Sequence, residues 1–250
     1  MNPLKINGVE LGSGLPKICV PVTGHDETEI LSQIDSIRKV PFDLIEWRAD
    51  FYSGMYDSSS CEHILTLFRN TFGKTPVIFT IRTSNEGGEA EIKTEIYEDL
   101  IHEIIKSRLA DLVDVELSRG HEVLKRIVAD AHDHSSRVIA SCHNFSSTPS
   151  KEELVNTLCV MQDLGADIAK YAVMPQTDRD VLTLLDATLT MKEEHRDTPV
   201  ITMSMGPQGA VSRICGQFSG SCLTFGTAGT ASAPGQIPAD TLREFLNILG

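Results

Sequence analysis

Lys170 stands in the run Asp-Ile-Ala-Lys-Tyr-Ala-Val-Met-Pro, an amine inside an apolar stretch with no carboxylate next to it in sequence. Burial disfavours the charged form of such a group, which yields the unprotonated amine that attacks a carbonyl carbon. Imine formation is the chemistry this placement suggests. A lysine at a strand's outer edge snorkels to solvent instead, but apolar residues flank this one on both sides. His143, in Ile-Ala-Ser-Cys-His-Asn-Phe, is a second candidate, because histidine is the commonest general acid and base near neutral pH. Glu86, in Arg-Thr-Ser-Asn-Glu-Gly-Gly-Glu, is a third: two glycines let the backbone turn tightly there, and a carboxylate on that turn orients an imidazole. By composition alone Glu89 serves as well as Glu86.

Short apolar runs alternating with longer amphipathic segments position these residues, the pattern of repeated βα units. The runs predict eight strands at residues 17–22, 43–48, 76–82, 111–116, 137–143, 167–173, 199–205 and 222–226. Helices are expected at 27–38, 62–71, 91–108, 121–131, 151–164, 179–194 and 240–248, with caps at Thr148-Pro149 and Thr177-Asp178. The expected fold is an α/β (β/α)₈ TIM barrel formed by residues 1–250 as a single domain, a length such barrels commonly have. Asn7-Gly8 within residues 4–11 predicts a β-hairpin that closes one end of the barrel. Residues 206–235 form the one long Gly/Ser/Pro/Thr-rich stretch and are expected to supply two long loops around the eighth strand.

A parallel barrel strand is buried on both faces and reads as nearly continuous apolar sequence. Here polar residues interrupt it on one parity near the carboxyl ends: Glu46 and Arg48, Thr80 and Arg82, Asp114 and Glu116, Ser141 and His143, then Lys170. Side chains alternate faces along a strand, so these point into the barrel at the rim where active sites of this fold sit. The bland alternative is a buried ion-pair network that fixes packing, and it weighs most for Asp114.

The net charge of −13 excludes nucleic acid and anionic membrane as partners, and no apolar run reaches membrane-spanning length. Six scattered cysteines without a Cys-x-x-Cys pair read as reduced thiols of a cytoplasmic protein. His132 and His134 are two apart on a helix end and do not make a metal pair. Strand alternation puts Cys142 and His143 on opposite faces. No metal or organic cofactor is indicated.

The chain resembles the type I 3-dehydroquinate dehydratases, the Schiff-base dehydratases of the shikimate pathway. The resemblance rests on Glu46-Trp47-Arg48, Phe79-Thr80-Ile81-Arg82 with Glu86-Gly87-Gly88-Glu89, Cys142-His143-Asn144-Phe145 and residues 165–170. It continues through Ala172-Val173-Met174-Pro175-Gln176, Ile201-Thr202-Met203-Ser204-Met205-Gly206 and Ala231-Ser232-Ala233-Pro234-Gly235-Gln236. It implies an imine between Lys170 and the ring ketone of 3-dehydroquinate, with His143 as base and then acid in a syn elimination of water, and Glu86 holding His143. It implies Arg213 for the substrate carboxylate, with Gln236 and Ser232 nearby, and Glu46, Arg48 and Arg82 for the ring hydroxyls. Arg82 and Arg213 are thereby the local cations that an anionic small molecule requires in an acidic chain. Met203, Met205, Phe225 and Ala233 form the less polar wall, residues 232–236 a closing loop, and the assembly a homodimer. Pro21 departs from the serine several members carry at the end of the first strand, which removes a hydroxyl contact. Two other functions fit parts of the pattern: a class I aldolase, which needs a phosphate-binding loop, and a non-catalytic binding barrel, which needs none of Lys170, His143 and Glu86.

Overall fold

The structure is a computed structural model that describes residues 2–229 and 232–250. It begins with strands β1 (Leu4–Ile6) and β2 (Val9–Leu11), paired antiparallel through Asn7-Gly8. Both turn residues have positive φ, 48° and 91°, as the hairpin turn that matches strand twist requires. The parallel strands follow: β3 (Lys17–Val22), β4 (Leu44–Arg48), β5 (Val77–Thr80), β6 (Leu112–Glu116), β7 (Arg137–Asn144), β8 (Ile168–Val173), β9 (Val200–Ser204) and β10 (Leu223–Thr227). They are ordered consecutively, β10 pairs with β3, and the β9–β10 seam closes through a parallel bridge between Val200 and Ser221. The expected barrel is therefore present, with a short extra strand β11 (Ile237–Pro238) on the outer edge of β10.

The outer layer is α1 (Glu27–Ile37), α2 (Ser58–Phe72), α3 (Thr94–Ser107), α4 (His121–Asp133), α5 (Lys151–Asp163), α6 (Asp178–Glu194) and α9 (Ala239–Leu249). Between β9 and β10 lie two single turns, α7 (Val211–Ile214) and α8 (Gly216–Ser219), where loop alone was expected. Helix α2 starts four residues before the expected 62–71, because the Asp57 carboxylate accepts from Ser59 N–H and the Ser60 hydroxyl. Thr148 does not cap α5. Ser150 does, in a reciprocal box with Glu153, while Thr148 donates to the Met174 carbonyl. Thr177 caps α6 as expected, with Asp180 completing the box. Strand β5 stops at Thr80 rather than at residue 82, because the Arg82 carbonyl accepts from Ala90 N–H and starts the next loop.

Two apolar layers hold these elements. Between barrel and helices pack the outward residues, among them Val20, Trp47, Phe79, Val115, Ala140 and Tyr171, against Ile34, Phe68, Ile101, Leu124 and Leu184 of the helices. Burying a Leu, Ile or Phe side chain contributes about 1.5–3 kcal/mol, so this layer is the main stabilising one. Inside the barrel a second layer joins Cys19, Leu44, Ile78, Leu112, Ile139, Ile168, Ile201 and Leu223 to Ile6 and Leu11 of the hairpin. The hairpin thus seals the amino-terminal end with apolar side chains, and Asn7 donates to Asp111 at 2.7 Å to hold it there. The opposite end is left to polar residues. Among the described residues, no helix is long and apolar enough to cross a membrane.

Candidate active site

The polar residues of shared parity all face inward above the apolar plug. Lys170 on β8 reaches Asp114 on β6, with Nζ 2.9 Å from Oδ2, and lies 3.7 Å from Glu46 Oε1 on β4. Its sequence neighbours carry no acid, but Asp114, two strands away in the barrel, and Glu46, four strands away, both face it. Burial alone would raise the Asp114 carboxyl, yet Arg82 and Lys170 outweigh it and hold Asp114 well below the usual carboxylate range. Asp114 also accepts from the Ser141 hydroxyl at 2.6 Å, and Glu46 accepts from Thr80 at 3.0 Å.

Arg82 donates to Asp114 (2.7 Å), to Glu116 (3.1 Å) and to Ser141 (2.9 Å), and lies 3.8 Å from Glu86. Although burial opposes its charge, these acids, Asp114 first, raise its pKa and fix it as a cation. Arg48 forms a two-toothed pair with Asp50, both contacts at 2.8 Å, and its guanidinium stacks 4.9 Å over the Phe51 ring. Asp50 further accepts from Arg82 N–H and Glu89 N–H, so one buried carboxylate ties β4 to both ends of the loop that carries Glu86. The ion-pair network weighed against a functional reading is therefore real. It neutralises Arg48 and Arg82, so Arg82 is not a spare charge for an anion.

Arg213 is different. It is buried at the end of α7, its Nη2 donates to the Pro234 carbonyl at 3.0 Å, and its Nε has no hydrogen-bond partner among the described residues. Burial, with no offsetting acid, pulls its pKa down to about 10. Among the described residues it has no carboxylate partner, and leaving a buried charge unpaired is costly.

His143 follows Cys142 on β7, and its Nδ1 lies 2.9 Å from Glu86 Oε2. Burial, then Arg82 and Lys170, push the imidazole well below its ordinary pKa, so it is neutral. With the proton on Nδ1 donated to Glu86, Nε2 presents a lone pair, the state a general base needs. Burial and the Glu116 charge raise Glu86 to about 7, against the lowering influence of Arg82 and of the Ser118 hydroxyl. The turn that brings Glu86 here depends on Gly87, whose φ is +78° and whose added Cβ would sit 2.3 Å from the Phe145 ring. Glu89 is not part of the constellation, since its role is only to offer a backbone N–H to Asp50.

One cleft gathers Lys170, His143 and Glu86, together with Glu46, Arg48, Arg82, Arg213, Ser232 and Gln236, and the less polar Met203, Met205, Phe225 and Ala233. Lys170 Nζ sits 4.8 Å from the centre of the Phe225 ring. Ser232 and Gln236 bond each other, N–H to Oε1 at 2.9 Å and Nε2 to hydroxyl at 3.0 Å, and Pro234 between them accepts from Arg213 and from Gly206 N–H. Ala231, first of that motif, lies outside the described residues. Gly87, Phe145 and Ala172 also line the cleft without having been named as site residues, and Pro234 belongs to the expected loop 232–236. Pro21 is buried in β3 beside Glu46, and it borders a neighbouring cavity instead.

A model of the type I 3-dehydroquinase family matches residues 18–250. A 3-dehydroquinate dehydratase of Clostridium botulinum is 45% identical over 246 residues, 98% of this chain and 97% of that protein. One from Bacillus licheniformis is 46% identical with the same coverage. The crystal structure of a type I 3-dehydroquinate dehydratase from Clostridium difficile with covalently modified comenic acid superposes with a TM-score of 0.96 at 43% identity, covering 99% of this chain and 98% of that one. The Geobacillus kaustophilus enzyme gives 0.96 at 38% identity, covering 99% and 96%. A 3-keto-L-gulonate-6-phosphate decarboxylase from Vibrio cholerae, at 13% identity and a TM-score of 0.62, shares the fold alone. The chain belongs to the type I 3-dehydroquinase family.

Proposed function

We propose that this protein dehydrates 3-dehydroquinate to 3-dehydroshikimate by syn elimination through an imine on Lys170. The observation that carries the reading is the β7–β8 register: Ser141 pairs with Lys170 and His143 with Ala172, so amine and imidazole open side by side on one cleft with Arg213. Arg213 takes the ring carboxylate, and Glu46, Arg48 and Arg82 meet the ring hydroxyls.

The amine of Lys170 gives its proton to the neutral His143 imidazole and adds to the ring ketone. His143 returns that proton to the carbinolamine hydroxyl, which leaves as water, and the imine forms. The imine is the electron sink for the next step, in which His143 Nε2 removes a proton from the adjacent carbon and the electron pair moves into an enamine. The enamine then expels the tertiary hydroxyl, protonated by the same imidazole, and water attacks the conjugated iminium to release product and amine. Glu86 keeps Nδ1 protonated and supports the imidazolium whenever it forms.

The aldolase reading loses support from Arg213, a single buried guanidinium suited to a carboxylate. A binding barrel has no use for an amine and an imidazole held within one cleft. The same proposal takes residues 1–250 as one domain, the active form as a homodimer, and the compartment as the cytoplasm, which suits six unpaired cysteines. Incubation with 3-dehydroquinate is the test: the conjugated enone of the product absorbs in the ultraviolet, and absence of that signal at micromolar protein overturns the assignment. Sedimentation of the purified protein reads the dimer, and a single unfolding transition reads the domain.

A further inference from the structure

The Glu86 carboxylate has two oxygens and two side-chain partners of different origin. Oε2 faces His143 Nδ1 at 2.9 Å, and Oε1 accepts from the Ser118 hydroxyl at 2.6 Å. The second contact falls in the range of an O–H donor to an ionised carboxylate. Ser118 sits on the single 3₁₀ turn Leu117–Arg119 directly after β6. The same strand end supplies Glu116, which accepts from Thr83 N–H at 2.8 Å and from the Thr83 hydroxyl at 2.7 Å. One short segment therefore fixes the base of the Glu86 loop through Glu116 and the tip of its side chain through Ser118.

Ser118 is itself exposed at the rim and is outside the cleft lining. We propose that Ser118 is a positioning residue for the reaction: its hydroxyl pins one Glu86 oxygen, so the other accepts the Nδ1 proton of His143 and Nε2 stays directed at the substrate. The inference rests on the dehydratase reading of the site.

The charged groups around Glu86 make the hydroxyl matter. Burial, with Glu116 and Asp114 from β6, opposes the carboxylate, Arg82 just past the end of β5 lies 3.8 Å away and favours it, and His143 from β7 is neutral. Their net effect raises Glu86 to about 7, so near neutral pH a hydroxyl that bonds the ionised form more strongly than the protonated one tips the group toward the carboxylate that accepts from His143. A protonated Glu86 donates to His143 instead of accepting from it, which moves the imidazole proton to Nε2 and removes the base.

The test compares wild type, Ser118→Ala and Ser118→Thr. In Ser118→Ala the acid limb of the kcat profile moves up by roughly 0.5–1 pH unit and kcat at pH 7 falls about two- to fivefold, as expected for loss of one donor to a charged group. KM stays within about twofold, borohydride still traps the imine, and Ser118→Thr restores the wild-type limb. Titration of Glu86 in the ligand-free protein, followed by carboxyl carbon NMR, shifts upward in Ser118→Ala alone. An unshifted limb and an unshifted Glu86 titration in Ser118→Ala overturn the inference. A shifted Glu86 titration in a protein that does not turn over 3-dehydroquinate overturns the dehydratase reading and leaves the Ser118 contact standing.

Discussion

Lys170 and Asp114 meet at 2.9 Å across the barrel interior although 56 residues separate them and β7 stands between their strands. The contact gives the amine a counterion that no sequence neighbour offers. It also couples the lysine to Arg82, because Asp114 serves both cations. A carboxylate shared between two buried cations holds the amine aimed at the cleft before any substrate arrives.

Removing that carboxylate leaves two buried positive charges facing each other. Asp114→Ala is expected to lose about 3–5 kcal/mol of stability, the range for breaking a buried ion pair. Urea unfolding monitored by far-ultraviolet circular dichroism reads it, and a loss below about 1 kcal/mol contradicts the network described here.

Arg213 carries a charge that nothing in the described cleft neutralises, so its contribution belongs to binding more than to turnover. Arg213→Ala should raise KM roughly 10- to 100-fold, the equivalent of one charge-assisted contact, with kcat changed much less. Steady-state kinetics separate the two. A collapse of kcat at unchanged KM would place Arg213 elsewhere in the reaction.

His143 acts after the imine exists as well as before it. Replacing it with alanine is expected to lower kcat about 10²- to 10⁴-fold while adduct formation on Lys170 persists, slowly. Single-turnover mass spectrometry shows whether the protein accumulates in the adduct form. Turnover at the wild-type rate removes His143 from the mechanism.

Glu86 titrates at about 7 in the fold against 4.5 unperturbed. Its proton is bound more tightly in the folded chain, so its contribution to stability is full below 4.5 and is lost as pH rises through 7. Glu86→Gln should therefore gain stability relative to wild type between pH 5 and pH 8, by up to about 3 kcal/mol. Activity runs the opposite way, since the ionised carboxylate is the working form: wild-type kcat/KM falls below about pH 7, and Glu86→Gln flattens that limb at a reduced rate. A wild-type profile with no acid limb between pH 5 and 8 contradicts the pairing.

Strand alternation made much of this site legible in advance. Glu46, Arg82, His143 and Lys170 could be placed on one rim because each occupies the inward parity of an apolar run, and all four line one cleft. The Lys170–Asp114 pair was not legible, because barrel curvature and stagger, rather than local pattern, decide which inward side chains meet. Asp50 and Ser118 escaped notice for another reason. They lie on single 3₁₀ turns where no periodicity marks a side chain's direction, although their positions just past β4 and β6 were a usable signal. Arg213 was reached only through family resemblance, since nothing about residues 206–216 distinguishes a buried cation from a loop arginine. The caps show the same limit on a smaller scale: Ser150 and Thr148 are both plausible, and only the Glu153 side chain folding back selects Ser150.

The imine itself can be read directly. Wild-type protein is mixed with 3-dehydroquinate, reduced with borohydride, digested, and analysed by mass spectrometry, with Lys170→Ala as the control. The account predicts a stable adduct of the reduced, carboxylated ring on the peptide that contains Lys170, and none in the control. Full turnover by wild type with no adduct on that peptide, or an adduct of equal yield in Lys170→Ala, contradicts it.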